Sequence, residues 1–465
     1  WDSRLSKSKN SYLYGGLSAS VMLSNIIAKD SKWLNYWKLR ASAAQVGSTL
    51  GAYAVNDYYR TSKYNSDLTL YSYYVQVNPD IKPTISTSYE IGTEFRLFNN
   101  RFWGDINYYT MDTKNQIMSL PIAQQSGFAY RQINAGNVRN RGIEIGLNWN
   151  DQVGDFRYGI SANMSTNKNE VLYIDNADGI LHGGINVIAQ NISQYNTFEA
   201  RPGKPIGYFS GIASDGIFQN QAEIDAALQK AKAAGQKYIN PIMQTSKSYT
   251  TYPGDIKFED LNGNGYLDRG ANTVDDPGDR KIIGNEDPRF MYSFNLSANW
   301  NGIFFSAFFQ GVGKQDWYPS NEASNFWGMY NRPYNNMPKW HVDNYWTEDH
   351  TDAYLPRYAG YYAPFYKGTN NANTRYLMSV AYLRLKNLQL GYSLPKSLVQ
   401  KAKMDAVSVF VSAENLWTWS PLYKYTKDIN VSNIGLSDID LSNSRGDAYN
   451  YPMMTTVSLG LNITF

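Results

Sequence analysis

Oxygen-bearing side chains at a fixed spacing are the clearest chemical signal in this chain. In Asp260-Leu261-Asn262-Gly263-Asn264-Gly265-Tyr266-Leu267-Asp268, carboxylate or amide oxygens stand at positions 1, 3, 5 and 9. Gly265 is the turn glycine at position 6, and Tyr266 at position 7 offers a backbone carbonyl. An EF-hand loop presents its first nine positions to Ca2+ in that order. Position 12, where a bidentate Glu closes such a site, is Ala271. The motif predicts a structural Ca2+ site, with weak Mg2+ binding as an alternative. The competing reading is an Asn/Gly turn with solvated carboxylates.

A second population of candidates is aromatic. Trp317, Tyr318, Phe326, Trp327, Tyr330, Trp340, Tyr345 and Trp346 crowd one long loop, and Tyr361, Tyr362, Phe365 and Tyr366 follow. Such rings stack on sugars and serve at protein interfaces at small entropic cost. Trp317, Trp327, Tyr330, Trp340 and Trp346 are therefore candidates for substrate or partner contact, against loop-on-loop packing as the plainer reading. Catalysis finds no support. The chain has no Cys, and His182, His341 and His350 are separated in loops and read as surface histidines. Glu348-Asp349 is a weak acid–base signal, because that chemistry needs positioned geometry. A net charge of +3 spread along the chain gives no reason to expect nucleic-acid binding.

The elements that carry these residues follow from composition and period. The chain has 465 residues, 15% aromatic and 18% charged, and soluble domains are typically about 25% charged. Mean hydropathy is −0.49. No window approaches the roughly 18 apolar residues of a spanning helix. A large extracellular β protein or an outer-membrane β-barrel remains. Period-two alternation is plain in Val457, Leu459, Leu461, Ile463 and Phe465 against Ser458, Gly460, Asn462 and Thr464. It recurs in 89–97, 143–149, 156–164 and 290–300, and further segments bring the total to about eleven strands of membrane-spanning length. Asn220 to Gly235 reads as a capped, Ala-rich helix within a loop.

Connections choose between the two classes. Tight hairpin signals at Asn99-Asn100, Asn150 to Gly154 and Asn301-Gly302 alternate with long polar stretches at 47–86, 113–139, 167–289, 312–378 and 416–454. Outer-membrane barrels have short periplasmic turns and long extracellular loops, so the fold class is all-β, an antiparallel transmembrane β-barrel. Counting strands from the 301–302 turn places the C-terminus in the periplasm. Trp37, Trp103, Trp149 and Trp300 sit near the short turns, as an interfacial girdle would. Lys38, Arg40, Glu90, Glu94, Arg96, Glu144, Arg157, Arg384 and Lys386 fall on polar strand faces and point to the lumen. An odd strand count cannot close a barrel alone. With Trp1 in place of an initiator Met, the chain reads as the C-terminal half of a larger barrel.

Several stretches resemble one family. They are Gly136-Asn137-Val138-Arg139-Asn140-Arg141-Gly142-Ile143-Glu144, the 255–265 segment followed by Asp279-Arg280-Lys281-Ile282-Ile283-Gly284-Asn285, the 382–395 segment, and Ala413-Glu414-Asn415-Leu416-Trp417-Thr418. In order, and over nearly the whole chain, they resemble the C-terminal half of a SusC/RagA-like TonB-dependent outer-membrane transporter of Bacteroidetes. The resemblance implies a barrel of about 22 strands, of which about eleven are here. The N-terminal half with its plug domain, and the segment that contacts TonB, would lie outside this sequence. It also implies a SusD-like surface lipoprotein as lid, contact with outer-membrane lipid, and import of oligosaccharides or peptides. Residues 167–289 become a long extracellular loop carrying the EF-hand-like turn, and 312–378 a long aromatic-rich one. The family pattern makes Asp279 the carboxylate that completes the Ca2+ set, with Asp275 and Asp276 as other candidates. The competing function is a self-contained outer-membrane or surface β-protein with an anchoring or binding role.

Overall fold

Alternating residues build one sheet, antiparallel apart from a two-residue parallel pairing of Val75–Gln76 with Tyr130–Arg131. The computed structural model describes residues 2–29, 31–51, 59–64, 67–72, 75–175, 181–182, 199–200, 202–204, 208–241, 250–270, 276–319, 324–330, 333–360, 372–432, 434 and 453–465. The sheet runs in chain order through β1 (Gly16–Met22), β2 (Leu34–Ser48), β3 (Thr84–Leu97), β4 (Phe102–Pro121), β5 (Tyr130–Val153) and β6 (Phe156–Ile174). It continues through β7 (Arg289–Trp300), β8 (Ile303–Lys314), β9 (Tyr382–Ser393), β10 (Ala406–Trp419) and β11 (Thr456–Thr464). No helix among the described residues is long and apolar enough to cross a membrane.

One end of the sheet carries the tight turns. Asn99 and Asn100 take φ of 57° and 62°, Gly154 59°, and Asn301 and Gly302 46° and 87°; positive φ at such positions lets a hairpin follow the strand twist. The other end carries long excursions, with one correction. The 113–139 stretch is not a loop: β4 and β5 run on beyond the sheet body and are joined only by 122–129. Met118, Leu120, Ala135 and Val138 bury there against Val171 and Ile174 of β6, with strict alternation broken by register shifts at Gln116 and between Asn137 and Val138. Strand β11 runs toward the tight-turn end.

The two faces differ as period two requires. Tyr89, Ile91, Ile106, Tyr108, Ile143 and Ile160 stand exposed on the outer face. On the inner face, Arg40 reaches Glu94 at 3.1 Å and Glu90 at 3.3 Å, and Lys38 reaches Glu94 at 3.5 Å. Arg40 also donates across β3 to Asn107 Oδ1 on β4, at 2.7 Å. Gly92 makes that crossing possible, because a Cβ there would lie 2.1 Å from Asn107 Oδ1 and 2.9 Å from Arg40 Nε. Arg96 lies over the Tyr36 ring at 5.5 Å, and Arg157 Nε donates to Gln152 at 3.1 Å.

Three of the four girdle tryptophans fit the outer face. Trp37 donates to Thr93 Oγ1 at 2.9 Å, Trp149 to Tyr158 at 3.4 Å, and Trp300 is half exposed. Trp103 does not fit, since it shares the inner face with Asp105, two residues along β4, opposite Asn148 of β5. Trp417 and Trp419 belong to β10 and stand half exposed at the opposite end of the outer face.

The path is open. Among the described residues β1 and β11 do not pair with each other, and nearly every residue of both is exposed. This is a partial barrel, and bare edges of this kind are not tolerated within lipid.

Gly92→Val should remove the Arg40–Asn107 bond and strand Oδ1 of Asn107, a residue only 6% exposed whose Nδ2 keeps its bond to Asp105. Urea unfolding of the whole barrel should show a loss of about 1–3 kcal/mol; an unchanged midpoint would show that Arg40 needs no passage over β3.

Candidate functional site

The aspartate loop is held by two short strand pairs, Tyr208–Ile212 with Arg280–Asn285 and Ser214–Ile217 with Ile256–Phe258. The helix expected nearby spans Gln221–Ala233. Asn220 accepts from Glu223 N at 3.1 Å, Glu223 accepts from Gln219 N at 3.3 Å, and Gly235 follows with φ of 78°.

Asp260 accepts from the backbone N–H of Gly263, Asn264 and Gly265 at 2.7, 3.1 and 2.7 Å. Asn262 and Asn264 accept from Asn264 N and Tyr266 N, each at 3.1 Å. Their amide nitrogens turn toward the Asp268 carboxylate. Asp279 is fully buried, and its carboxylate accepts from Leu261 and Asn262 at 2.7 and 3.3 Å and from Asp268 N at 2.7 Å. It therefore clamps the start of the loop to its end. Burial pushes the Asp279 carboxyl above its usual range, while the three backbone donors oppose that shift. The structure thus brings Asp260, Asn262, Asn264, Tyr266, Asp268 and Asp279 into one turn. Among the described residues no three His, Asp or Glu groups converge as a metal site. Asp275 and Ala271 lie outside the described residues.

The aromatic loop residues have a different place from the one expected. Trp317, Trp327, Tyr330 and Trp346 are 3%, 2%, 1% and 7% exposed, and Trp340 is partly buried. Trp327 packs edge-on to Phe326 and Tyr376, and its Nε1 donates to Pro319 O at 3.2 Å. Tyr330 stacks on Tyr358 and donates to Pro356 O. Trp346 joins Ile217 and Ala353. Substrate or partner contact by these side chains is corrected to packing. Their apolar partners, Leu355, Val380, Leu422, Ile429 and Val431, come from segments far apart in sequence, and together they form a core above the sheet. Tyr361, Tyr362, Phe365 and Tyr366 lie outside the described residues.

The surface reading of His341 is also corrected, because the ring is fully buried. Its Nε2 lies 2.8 Å from Phe326 O, a pure acceptor, so Nε2 carries the proton and Nδ1 accepts from Tyr358 O–H at 2.9 Å. Burial lowers its pKa to about 4, with the Phe326 carbonyl opposing the shift. His350 is a surface residue beside Asp352, at 3.2 Å.

On the inner face lies a cleft of about 830 Å³. Asp105 and Glu144 line it from β4 and β5, Ser293 and Gln310 from β7 and β8, and Arg384 and Lys386 from β9. The alternation marked several of these as lumen residues; that they share one cleft could be read only from the sheet's curvature.

The family described as TonB dependent receptor-like, beta-barrel, matches residues 7–416. The chain belongs to that family, whose members are outer-membrane β-barrels. It is 28% identical to TonB-dependent receptor P3 of Formosa agariphila, over 98% of this chain and 42% of that protein. It is 24% identical to TonB-dependent receptor SusC of Bacteroides thetaiotaomicron, over 56% of this chain and 24% of that protein. The fold is similar to that of the RagAB peptide transporter, with a TM-score of 0.70 and 19% identity, covering 99% of this chain and 44% of that one. The chain thus spans less than half the length of these relatives. Their names are those of receptors and transporters, not of enzymes.

His341 makes the loop core sensitive to acid. Its folded pKa, about 4, lies below the unfolded value of 6.5, so the opened state takes the proton first and stability present above pH 6.5 is lost as pH falls toward 4. Hydrogen exchange of 324–358 should show a loss approaching 3 kcal/mol, roughly, across that window. His341→Gln should flatten the dependence, and an unaltered slope in that variant would place the titrating group elsewhere.

Proposed function

We propose that this chain supplies part of the wall and the extracellular loops of a transporter that imports oligomeric nutrients, oligosaccharides or peptides, with energy from TonB. The observation that carries the reading is the family match over 7–416 on a sheet whose two edges stand open. The missing strands, the plug and the TonB-contacting segment would come from sequence outside this chain. Open edges favour this over a self-contained anchoring protein, because a barrel in lipid has to close. The tight-turn end, with the end of β11, would face the periplasm. The loop core would face outward, under a SusD-like lipoprotein lid. Similarity to SusC and to the RagAB peptide transporter supports both the lid and the cargo class.

Deleting the gene for the whole protein should abolish uptake of its oligomeric cargo while sparing the monomers, and inactivating TonB should do the same. A strain that takes up every oligosaccharide and peptide pool as well as its parent would end the import reading. A tagged whole protein should also bring down a surface lipoprotein.

The aspartate loop enters this reading as a structural Ca2+ site of Asp260, Asn262, Asn264, Asp268, Asp279 and the Tyr266 carbonyl, bracing the loop above the sheet. Oxygen ligands in this order suit Ca2+ better than Mg2+, which demands a stricter octahedron. Calorimetric titration of the purified whole protein should show Ca2+ binding that Asp260→Ala removes; identical isotherms for the two proteins would leave the loop a metal-free turn.

A further inference from the structure

The inner cleft holds a buried guanidinium whose hydrogen-bond partners among the described residues are all neutral. Arg384 is 3% exposed. Its Nε donates to Thr418 Oγ1 at 2.9 Å, Nη2 to Asn430 Oδ1 at 3.0 Å and Nη1 to Ser432 Oγ at 3.1 Å. Nη1 also meets Met453 Sδ, and the guanidinium lies 5.5 Å from the Tyr382 ring centre. Every one of these partners is neutral. Among the described residues no carboxylate pairs with Arg384. A guanidinium cannot shed its proton, and taking it out of water is costly unless an anion meets it. These neutral acceptors fix its plane without supplying a charge of opposite sign.

A second observation lies two residues along β9. The register of β8 with β9 slips between Phe308 and Phe309, opposite Asn387 and Leu385. The register of β9 with β10 slips between the same Leu385 and Asn387. Lys386 is the extra residue of the first ladder, and in the second it faces two residues of β10, Asn415 and Leu416, with Asn415 at a φ of 53°. A bulge re-aims the side chain it inserts, and exposed Lys386 lines the same cleft as Arg384. Asp105 and Glu144 line it from β4 and β5, where they would repel a second anion and fix the direction in which an anionic ligand lies.

We propose that Arg384 and Lys386 form a subsite for a carboxylate on the transported oligomer. This rests on the import reading and narrows its cargo to molecules that carry that group. A peptide's C-terminus and a uronic acid residue share it, and they separate in the test.

The test uses the whole protein in its own outer membrane and two matched probe pairs. One pair is a short peptide with a free or an amidated C-terminus; the other is an oligogalacturonate and its methyl ester. The wild type should favour the acid of at least one pair by about tenfold, as a charge-assisted hydrogen bond would. That ratio should fall to within about twofold in Arg384→Gln and in Lys386→Gln, with Arg384→Lys keeping part of it. Should Arg384→Gln fail to reach the membrane, Lys386→Gln decides alone, since its side chain is exposed. No preference in the wild type, or a preference unchanged in the variants, overturns the subsite. In that outcome, loss of uptake of the probes on deletion of the gene leaves import standing while the subsite falls. Uptake of all four probes unchanged by the deletion overturns both.

Discussion

Backbone hydrogen bonding in a medium without water is the constraint on which this architecture depends. Lipid offers no partner for an amide, so every strand needs a neighbour on each side. That requirement explains the unbroken chain-order pairing from β1 to β11. It also gives the exposed edges of β1 and β11 their meaning. Inside the sheet, side chains are then free to specialise, with apolar rows outside and a charged, paired network inside.

The network on the inner face shows how closely register and chemistry are tied. Arg40 spans β3 to reach Asn107, and it can do so only where β3 presents a glycine. A slip of β3 by one residue would turn Gly92 outward, put Ile91 or Thr93 in the path and carry Glu90 and Glu94 to the lipid face. Ion pairs that would contribute little at an ordinary surface thus help to fix strand order in a sheet whose backbone bonds alone would accept several registers.

Much of this was legible in the sequence, because period two is a local signal. The strands, the alternation of tight and long connections and the inner charges could all be read from residues a few positions apart. So could the helix cap at Asn220 and the oxygen spacing from Asp260 to Asp268. What could not be read were properties that depend on distant partners. His341 and the loop tryptophans are polar or amphipathic residues in polar-looking segments, and only Ile256, Leu422 and Val431, brought in from elsewhere, complete a core around them. Trp103 illustrates a smaller failure: nearness to a turn suggested the girdle, but the parity of Asp105 and Asn107 assigns it to the inner face. Extension of β4 and β5 past the sheet is hidden in the sequence because Asn and Gln interrupt the apolar count there.

The loop core has a consequence for assembly. Its members range from Ile256 to Ile434, and the strands between them, β7 to β10, must be in place before those segments meet. Contacts of such separation form late, because chain closure precedes any gain from burial. A nascent molecule would therefore pass through a stage with its sheet formed and its outer segments still loose, open to proteolysis and to capture by other chains. Biogenesis then bears on how these long connections are built, and fusing them into one cooperative unit shortens the time that they spend unprotected.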